Sequence, residues 1–551
     1  MSGRAGEATD AKEMAMEEGE ERTRLTRRGF FGQTGRWGAA AVVAAVADRA
    51  GRPGLVDVAA GQTPKRGGTL RFGLPNEPLT LSGTMTGGDQ GLGIVMSALY
   101  DTLCVTDYTT NTAKPGLALS WTPRDPKTWV VKLRSGVQFH RGYGELTAED
   151  VVFTINTTIE KKHTGVFAWS SVQGAEVLDR YTFVIHLSQP YQPLQLTALG
   201  SVGGNVISKK AFEDLGREKF ERNPVGAGPF EFKEWKEGSE IVVTRFDKYW
   251  QPGLPYLDRI EFKIIKDHFV RQNLLKTGGL DVIFTLQYKD VEEMRRTPGI
   301  TVHSVPGQTF DFIASNPKDP VVGNRLVRQA VAHAINRNAI VSEVYYGQAV
   351  PTNIPTPKGF VGYPGKVWYP YGGDVAKARQ LLAEAGHPDG VTFPVIVSDK
   401  LQLRRELEII SGQLARAGIK IEIQGLDLGT FNARFFGPDV TKKNFRAALR
   451  DIAIVSPDPD STVYWFHHKG TLGWVGLEDP QIDKLLEDAR AESSTEKRDQ
   501  LYKRLFDVII PEATYIYTVH ANYISASRSM VRSWEQLPTS IARYTAIWLD
   551  R

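Results

Sequence analysis

The chain has 551 residues, 24% of them charged, with 67 Lys and Arg against 63 Asp and Glu, a net charge of +4. The charges are scattered and nearly balanced, which excludes a nucleic-acid surface built on a basic stripe. The single cysteine, Cys104, excludes an internal disulfide framework, so stability must come from an ordinary core, and the length suits two or three lobes.

The first 24 residues are polar and acidic, and Arg27 and Arg28 then stand before Gly29-Phe30-Phe31. The weakly apolar run 38–47 spans about 10 residues, half of the roughly 20 that a membrane helix needs. It suits the apolar region of a signal peptide, with small-residue sites ending at Ala47 and Ala60. The arginine pair predicts export by the twin-arginine translocase, which carries folded proteins, so residues 1–60 are expected to be the leader. They hold nine basic and nine acidic residues, which leaves the mature chain at +4. No cysteine directly follows the apolar run, so a lipid anchor there is not expected, and Cys104 reads as a core residue. No later stretch is long and apolar enough to span a bilayer.

Past the leader, Thr69–Gly73 alternates as a strand ended by Gly73 and Pro75. TWVVKLRSGVQFH (128–140) predicts two short strands around Ser135-Gly136. Thr147 and Asp150 form a capping-box pattern ahead of a helix over 151–159. A hairpin is expected over 228–250, turning at Lys236-Glu237-Gly238, then a strand over 255–265. Leu326, Val327, Ala330, Val331, Ala334 and Ile335 have helical spacing. Asp374 caps a helix that Gly386 ends, GIKIEIQGL (418–426) alternates as a strand, Asp479-Pro480 opens a helix, and 513–521 alternates again. Segments 351–371 and 455–476 lack periodicity but are rich in aromatics, which points to function. The mixture predicts an α/β fold.

The inventory of catalytic motifs is thin. There is no phosphate-binding loop, H-E-x-x-H, C-x-x-C or G-x-S-x-G. Gly91-Leu92-Gly93 and Gly226-Ala227-Gly228 read as turns. His467 and His468 are adjacent, and neighbouring side chains usually point apart, so a shared metal is not expected. Asp458 and Asp460 have the makings of an acid pair for hydrolysis, but the prolines of SPDPDS favour an Asx turn. A hydrolase using Asp458, Asp460 or His467 is the rival reading; no enzyme activity, metal or cofactor is expected.

In order, YDTL (100–103), PGLALSW (115–121), the stretch 128–155, NPVGAGPFEFKEWKEG (223–238) with RFDKYW (245–250), NRLVRQAVAHAINR (324–337), ARQLLAEAGHPDG (378–390) and LEDPQIDKLLEDA (477–489) resemble the solute-binding proteins of ABC importers, in the class that holds oligopeptide-, dipeptide- and nickel-binding members. The resemblance runs from about Gly67 to the C-terminus. It implies an α/β periplasmic-binding-protein fold (class II, cluster C) with two main lobes and an extra one. Lobe I would comprise 62–108, 223–308 and 516–551; lobe II 109–222; lobe III 309–515. Segments near 309–313 and 511–518 would form a two-segment hinge below the ligand cleft. It also implies a periplasmic or other extracytoplasmic location, a peptide or small organic solute as ligand, an ABC permease as partner, and a monomer that performs no chemistry. A sensory or chaperone-like receptor on the same fold is a further alternative.

One departure bears on the ligand. In the peptide-binding members, an aspartate ahead of the "DP"-like loop holds the free amine of the peptide. Aligned on Asp458-Pro459, that position is Val455, and the family's tryptophan position is Ile452. Valine cannot pair with an ammonium, and a buried unpaired charge is costly. Asp451 and Asp458 are the nearest carboxylates that would substitute. The other expected cleft residues are Tyr464, Trp465, Trp474 and Tyr517, with Thr86 and Asp89 from the first loop, where the family's usual LDP is Leu81-Ser82-Gly83.

Overall fold

Two long strands organise this protein. The computed structural model describes residues 63–84, 90–161, 168–436, 445–453, 456–468 and 477–551, so the expected leader lies outside the described residues. In chain order the strands are β1 (Thr69–Leu74), β2 (Cys104–Asp107), β3 (Thr112–Pro115), β4 (Ala118–Asp125), β5 (Thr128–Leu133), β6 (Val172–Asp179) and β7 (Thr182–Leu187). They continue with β8 (Phe230–Lys236), β9 (Glu240–Arg245), β10 (Arg259–Ile264), β11 (Val282–Phe284), β12 (Ile300–Ser315), β13 (Ala349–Pro351), β14 (Val391–Ser398), β15 (Ile419–Leu426), β16 (Ala447–Ala453) and β17 (Tyr515–Arg528). A short pair, β18 (Val531–Arg532) and β19 (Trp548–Leu549), lies near the end of the chain.

Most of these strands join one sheet, ordered β15-β14-β16-β12-β17-β11-β1-β10-β9-β8, with β13 also on β17. A separate four-stranded sheet, β4-β5-β7-β6, lies on the segment between β3 and β8. β12 and β17 run antiparallel from Ile300 opposite Arg528 to Ala314 opposite Tyr515. Their register shifts between Pro306 and Thr309. Pro306 has no amide to donate, and a side chain at Gly307 would meet the Tyr523 ring at 2.7 Å, so only glycine passes there.

The apolar core changes identity along these two strands. One cluster takes residues from Phe310 to Ala521. Another takes residues from Leu70 to Phe284 and from Tyr523 onward. The free Cys104 is buried in the second.

Local chemistry explains where helices begin. The helix Ala148–Glu160 opens at Thr147, whose amide donates to Asp150 Oδ2 at 3.0 Å. The other oxygen of Asp150 accepts from the Lys209 amide at 3.0 Å, at the start of the helix Lys209–Leu215. One carboxylate thus terminates two helices. Replacing Asp150 by alanine is expected to cost about 1–2 kcal/mol, seen as a lower urea midpoint. Asp374 and Asp479 cap Val375–Glu384 and Pro480–Ala491 through side-chain bonds to Lys377 and Gln481 amides at 2.9 and 2.8 Å.

Three expectations are corrected. The strand expected after Ser135-Gly136 shrinks to a single bridge, Gln138 to Glu145. Buried His140 draws the chain inward: the Gly226 amide donates to Nδ1 at 3.3 Å, and Nε2 donates to the Gly228 carbonyl at 3.0 Å. Burial pushes this imidazole down to about 4, so it stays neutral. Gly91-Leu92-Gly93 is not a turn but part of the helix Gln90–Leu99, where a side chain at 93 would strike the Ser540 carbonyl. The stretch expected to be irregular over 455–476 carries the helix Asp460–Val463 and the 3-10 turn Tyr464–Phe466. No helix among the described residues is long and apolar enough to cross a membrane.

Candidate functional site

The segment 456–468 follows β16, which pairs antiparallel with β12 from Ala453 opposite Thr309 to Ala447 opposite Ser315. It opens with an Asx turn, in which the Asp460 amide donates to Asp458 Oδ1 at 3.0 Å. Two arginines hold the turn. Arg498 sets both terminal nitrogens on the Asp458 carboxylate at 3.0 Å each. Arg490 forks onto Asp460 at 2.6 and 2.9 Å. All four side chains are buried or nearly so. Burial alone would depress both guanidiniums; the paired aspartates instead raise them above their ordinary value. Asp458 and Asp460 are therefore committed to ion pairs, and the geometry leaves neither as the acid or base of a hydrolase.

A second stretch of chain reaches this turn. The Tyr191 hydroxyl donates to Asp460 Oδ2 at 2.9 Å, and the Gln192 amide donates to the Arg490 carbonyl at 2.7 Å. Gln189 Nε2 donates to the Tyr464 hydroxyl at 3.4 Å. The Arg490 guanidinium lies over the Tyr464 ring and, farther off at 5.1 Å, over that of Tyr191. Tyr464 also stacks on His467, centroids 4.8 Å apart.

Trp465 and Tyr517 meet through Phe310, whose ring lies 6.4 Å from Trp465 and 5.4 Å from Tyr517. Tyr517 is buried in this aromatic group with Phe312 and Tyr515. The structure thus brings Trp465 and Tyr517 into one aromatic group, and Asp458 and Tyr464 into the turn that leads to it. Asp458, expected at the cleft, is instead buried beneath Arg498. Trp474, Thr86, Asp89 and Val455 lie outside the described residues.

Asp451 sits on β16 opposite Asp311 of β12. It already holds an ammonium: Lys400 Nζ donates to its two oxygens at 2.9 and 2.7 Å. Beside it is a group that sequence reading missed. Asp311 and Glu406 are both fully buried. Tyr345 donates its hydroxyl to Asp311, and Thr518 donates to Glu406 at 2.6 Å. Burial, then the Glu406 and Asp451 charges, push Asp311 well above the usual carboxylate range, and burial raises Glu406 as well. The readable signal was an aspartate in the middle of an apolar strand, TFDFIAS (309–315). Next to Asp451, Arg450 lies 4.5 Å from the Phe435 and Phe436 ring centroids, and burial pushes it down to about 10.

His467 and His468 depart from the expected divergence of neighbours. Their rings stack 5.0 Å apart at 18°, and both turn a nitrogen toward Asp483.

Comparison with known proteins assigns the class. The family model described as bacterial extracellular solute-binding proteins, family 5, middle region, matches residues 112–474. The glutathione-binding protein GsiB of Pectobacterium atrosepticum is 26% identical over 426 residues, 76% of this chain and 82% of that one. The oligopeptide-binding protein AppA of Bacillus subtilis is 27% identical over 481 residues, 83% of this chain and 87% of that one. The structure of the periplasmic binding protein DppA from Helicobacter pylori, in complex with the peptide STSA, superposes with a TM-score of 0.76 at 25% identity, covering 88% of this chain and 99% of that one. The chain therefore belongs to the family 5 bacterial extracellular solute-binding proteins and serves as a solute-binding receptor of an ABC importer.

Proposed function

We propose that this receptor takes up a peptide-sized solute without gripping a free amino terminus by a carboxylate of the 451–460 region. The observation that carries this is the state of the two nearest acids. Asp451 is occupied by Lys400, and Asp458 by Arg498. Freeing Asp458 would strand the buried charge of Arg498, whereas Asp451 and Lys400 form a partly exposed pair that a ligand ammonium would have to displace. Val455, in place of the amine-binding aspartate, points the same way.

In this reading the lobes are 62–108 with 223–308 and 516–551, then 109–222, then 309–515. The core cluster changes between Val305 and Phe310 on β12 and between Ala521 and Tyr523 on β17, which supports a bend beside 309–313; the second hinge segment, 511–518, rests on the resemblance. Tyr464 and Trp465 border the cleft, with Trp474, Thr86 and Asp89 assigned to it on the resemblance and Tyr517 packed behind them, and closure over the solute presents the loaded form to the permease. The leader with Arg27 and Arg28 directs export through the twin-arginine translocase, and the protein acts as a monomer.

Thermal-shift measurements on the purified protein test the ligand class. A ligand at 100 times its Kd adds about 2.7 kcal/mol of stability. Matched peptides with free and acetylated amino termini should raise Tm equally. Stabilisation by the free peptides alone would show that a carboxylate does hold the amine and would end this reading.

A further inference from the structure

The segment 189–192 and the segment 456–468 belong to different cores. Tyr191 and Leu194 pack in the cluster that starts at Leu70, whereas Val463, Phe466, Leu486 and Ala489 pack in the one that starts at Phe310. Hydrogen bonds join the two here. Tyr191 donates to Asp460 Oδ2 at 2.9 Å, the Gln192 amide to the Arg490 carbonyl at 2.7 Å, and Gln189 Nε2 to the Tyr464 hydroxyl at 3.4 Å. Asn111 Nδ2 adds a bond to the Gly359 carbonyl at 3.1 Å.

Each half is complete without the other. Asp460 without Tyr191 keeps the Arg490 fork at 2.6 and 2.9 Å, so no buried charge is stranded. The Tyr191 hydroxyl keeps Thr197 Oγ1, at 3.0 Å on its own side. The Arg490 carbonyl lies in the last turn of Pro480–Ala491, where carbonyls have no partner within the helix and take water when free. Parting the junction therefore leaves polar groups that a neighbour or water satisfies, which is what a contact that forms and breaks requires.

We propose that Tyr191, with Gln189 and Gln192, is a reversible clasp that holds the lobe 109–222 against the lobe 309–515 and favours the closed receptor, an inference that rests on the proposed division into lobes. None of these bonds passes through the solute, so the clasp favours closure in the unloaded receptor as well. It meets the cleft at Tyr464, whose hydroxyl accepts from Gln189 and whose ring lies under the Arg490 guanidinium. A solute seated on Tyr464 and the clasp thus act on one side chain, and each strengthens the other. Tyr191 is a positioning residue that acts through Asp460 and Arg490.

Pulsed dipolar spectroscopy on the full, solute-free chain tests the clasp. Spin labels go on K127C and K484C, both exposed sites. The Lys127 carbonyl accepts from the Leu187 amide at 2.8 Å, just before the segment 189–192, and Lys484 shares the helix of Arg490. Cys104 is buried and stays unlabelled. The wild type should show a short-distance population, and Y191F should lower its ratio to the longer one about 10-fold or more, the usual weight of a bond to a charged group. Y181F removes a hydroxyl that donates to Glu145 within the same lobe and should leave the distances unchanged. Y191E sets a carboxylate against Asp460 and drives hinged lobes apart. If Y191E lengthens the distance and Y191F matches the wild type, the lobes move and the clasp alone is overturned. A wild type already as long as Y191E overturns it too. If no variant moves the labels, the division into lobes falls and the clasp falls with it.

Discussion

Replacing Arg498 by methionine is expected to cost the protein about 3–5 kcal/mol, the usual consequence of stranding one charge of a buried pair. Asp458 would keep its carboxylate 2% exposed with both of its charge-assisted bonds gone. The same substitution removes the donors to the Ala489 carbonyl, at 2.9 Å, and to the Tyr502 hydroxyl, at 3.1 Å. The Asx turn that starts the segment 456–468 would lose its anchor to the helix Thr495–Glu512. Urea denaturation followed by tryptophan fluorescence reads the loss as a shifted midpoint. The double variant D458L/R498M removes both charges and should recover most of it, because the cost lies in the orphaned ion and not in the missing pair. A loss in R498M below about 1 kcal/mol would place this arginine with exposed, weakly contributing ion pairs.

The second large effect is a decline of stability toward alkaline pH, caused by Asp311 and Glu406. In the folded chain both carboxyls titrate above their unfolded range of about 4. The folded state therefore holds protons that the unfolded chain has released, and the slope of stability against pH is negative across that interval. The contribution is full below the unfolded values and is lost as pH rises through the folded ones. Each tenfold difference in proton affinity is worth about 1.4 kcal/mol. The charged and titratable neighbours are Tyr345, Tyr288, Arg337 and Asp451, the last paired with Lys400. D311N keeps an acceptor for Tyr345 and gains a permanent donor for Glu406. Its stability, followed by urea titrations from about pH 5 to about pH 9, should fall less steeply than that of the wild type. Parallel profiles would mean that the pair does not set this slope. Asp311 and Thr518 stand on β12 and β17 within the core cluster that runs from Phe310 to Ala521, so the effect reports on the packing of these two strands.

Local signals were legible wherever one residue decides the backbone. Asp374, Asp479 and the Thr147–Asp150 box were readable as caps because a side-chain oxygen meets an amide two or three residues away. The hairpin β8–β9 was readable because Gly238 takes a positive φ of 68° at its turn. The ordered set of family segments was legible for the same reason: each is short and local.

The site was legible only as a list of residue types. Asp451, Asp458, Tyr464 and Trp465 are close in sequence, yet the partners that decide their roles are not. Lys400 stands 51 residues before Asp451, Arg498 40 residues after Asp458, and Arg490 30 residues after Asp460. Tyr191 comes from 269 residues away. Charge pairing depends on three-dimensional distance, which no periodicity encodes. The acid pair Asp311–Glu406 was missed for that reason.

By itself, then, the sequence determined the caps, the turns, the alternating strands and the membership of an exported, motif-poor binding family, all consequences of short-range stereochemistry and of segment order. Tertiary structure alone decided which carboxylates are already spoken for, because burial makes an unpaired charge intolerable and the fold must bring each one a partner from a distant part of the chain.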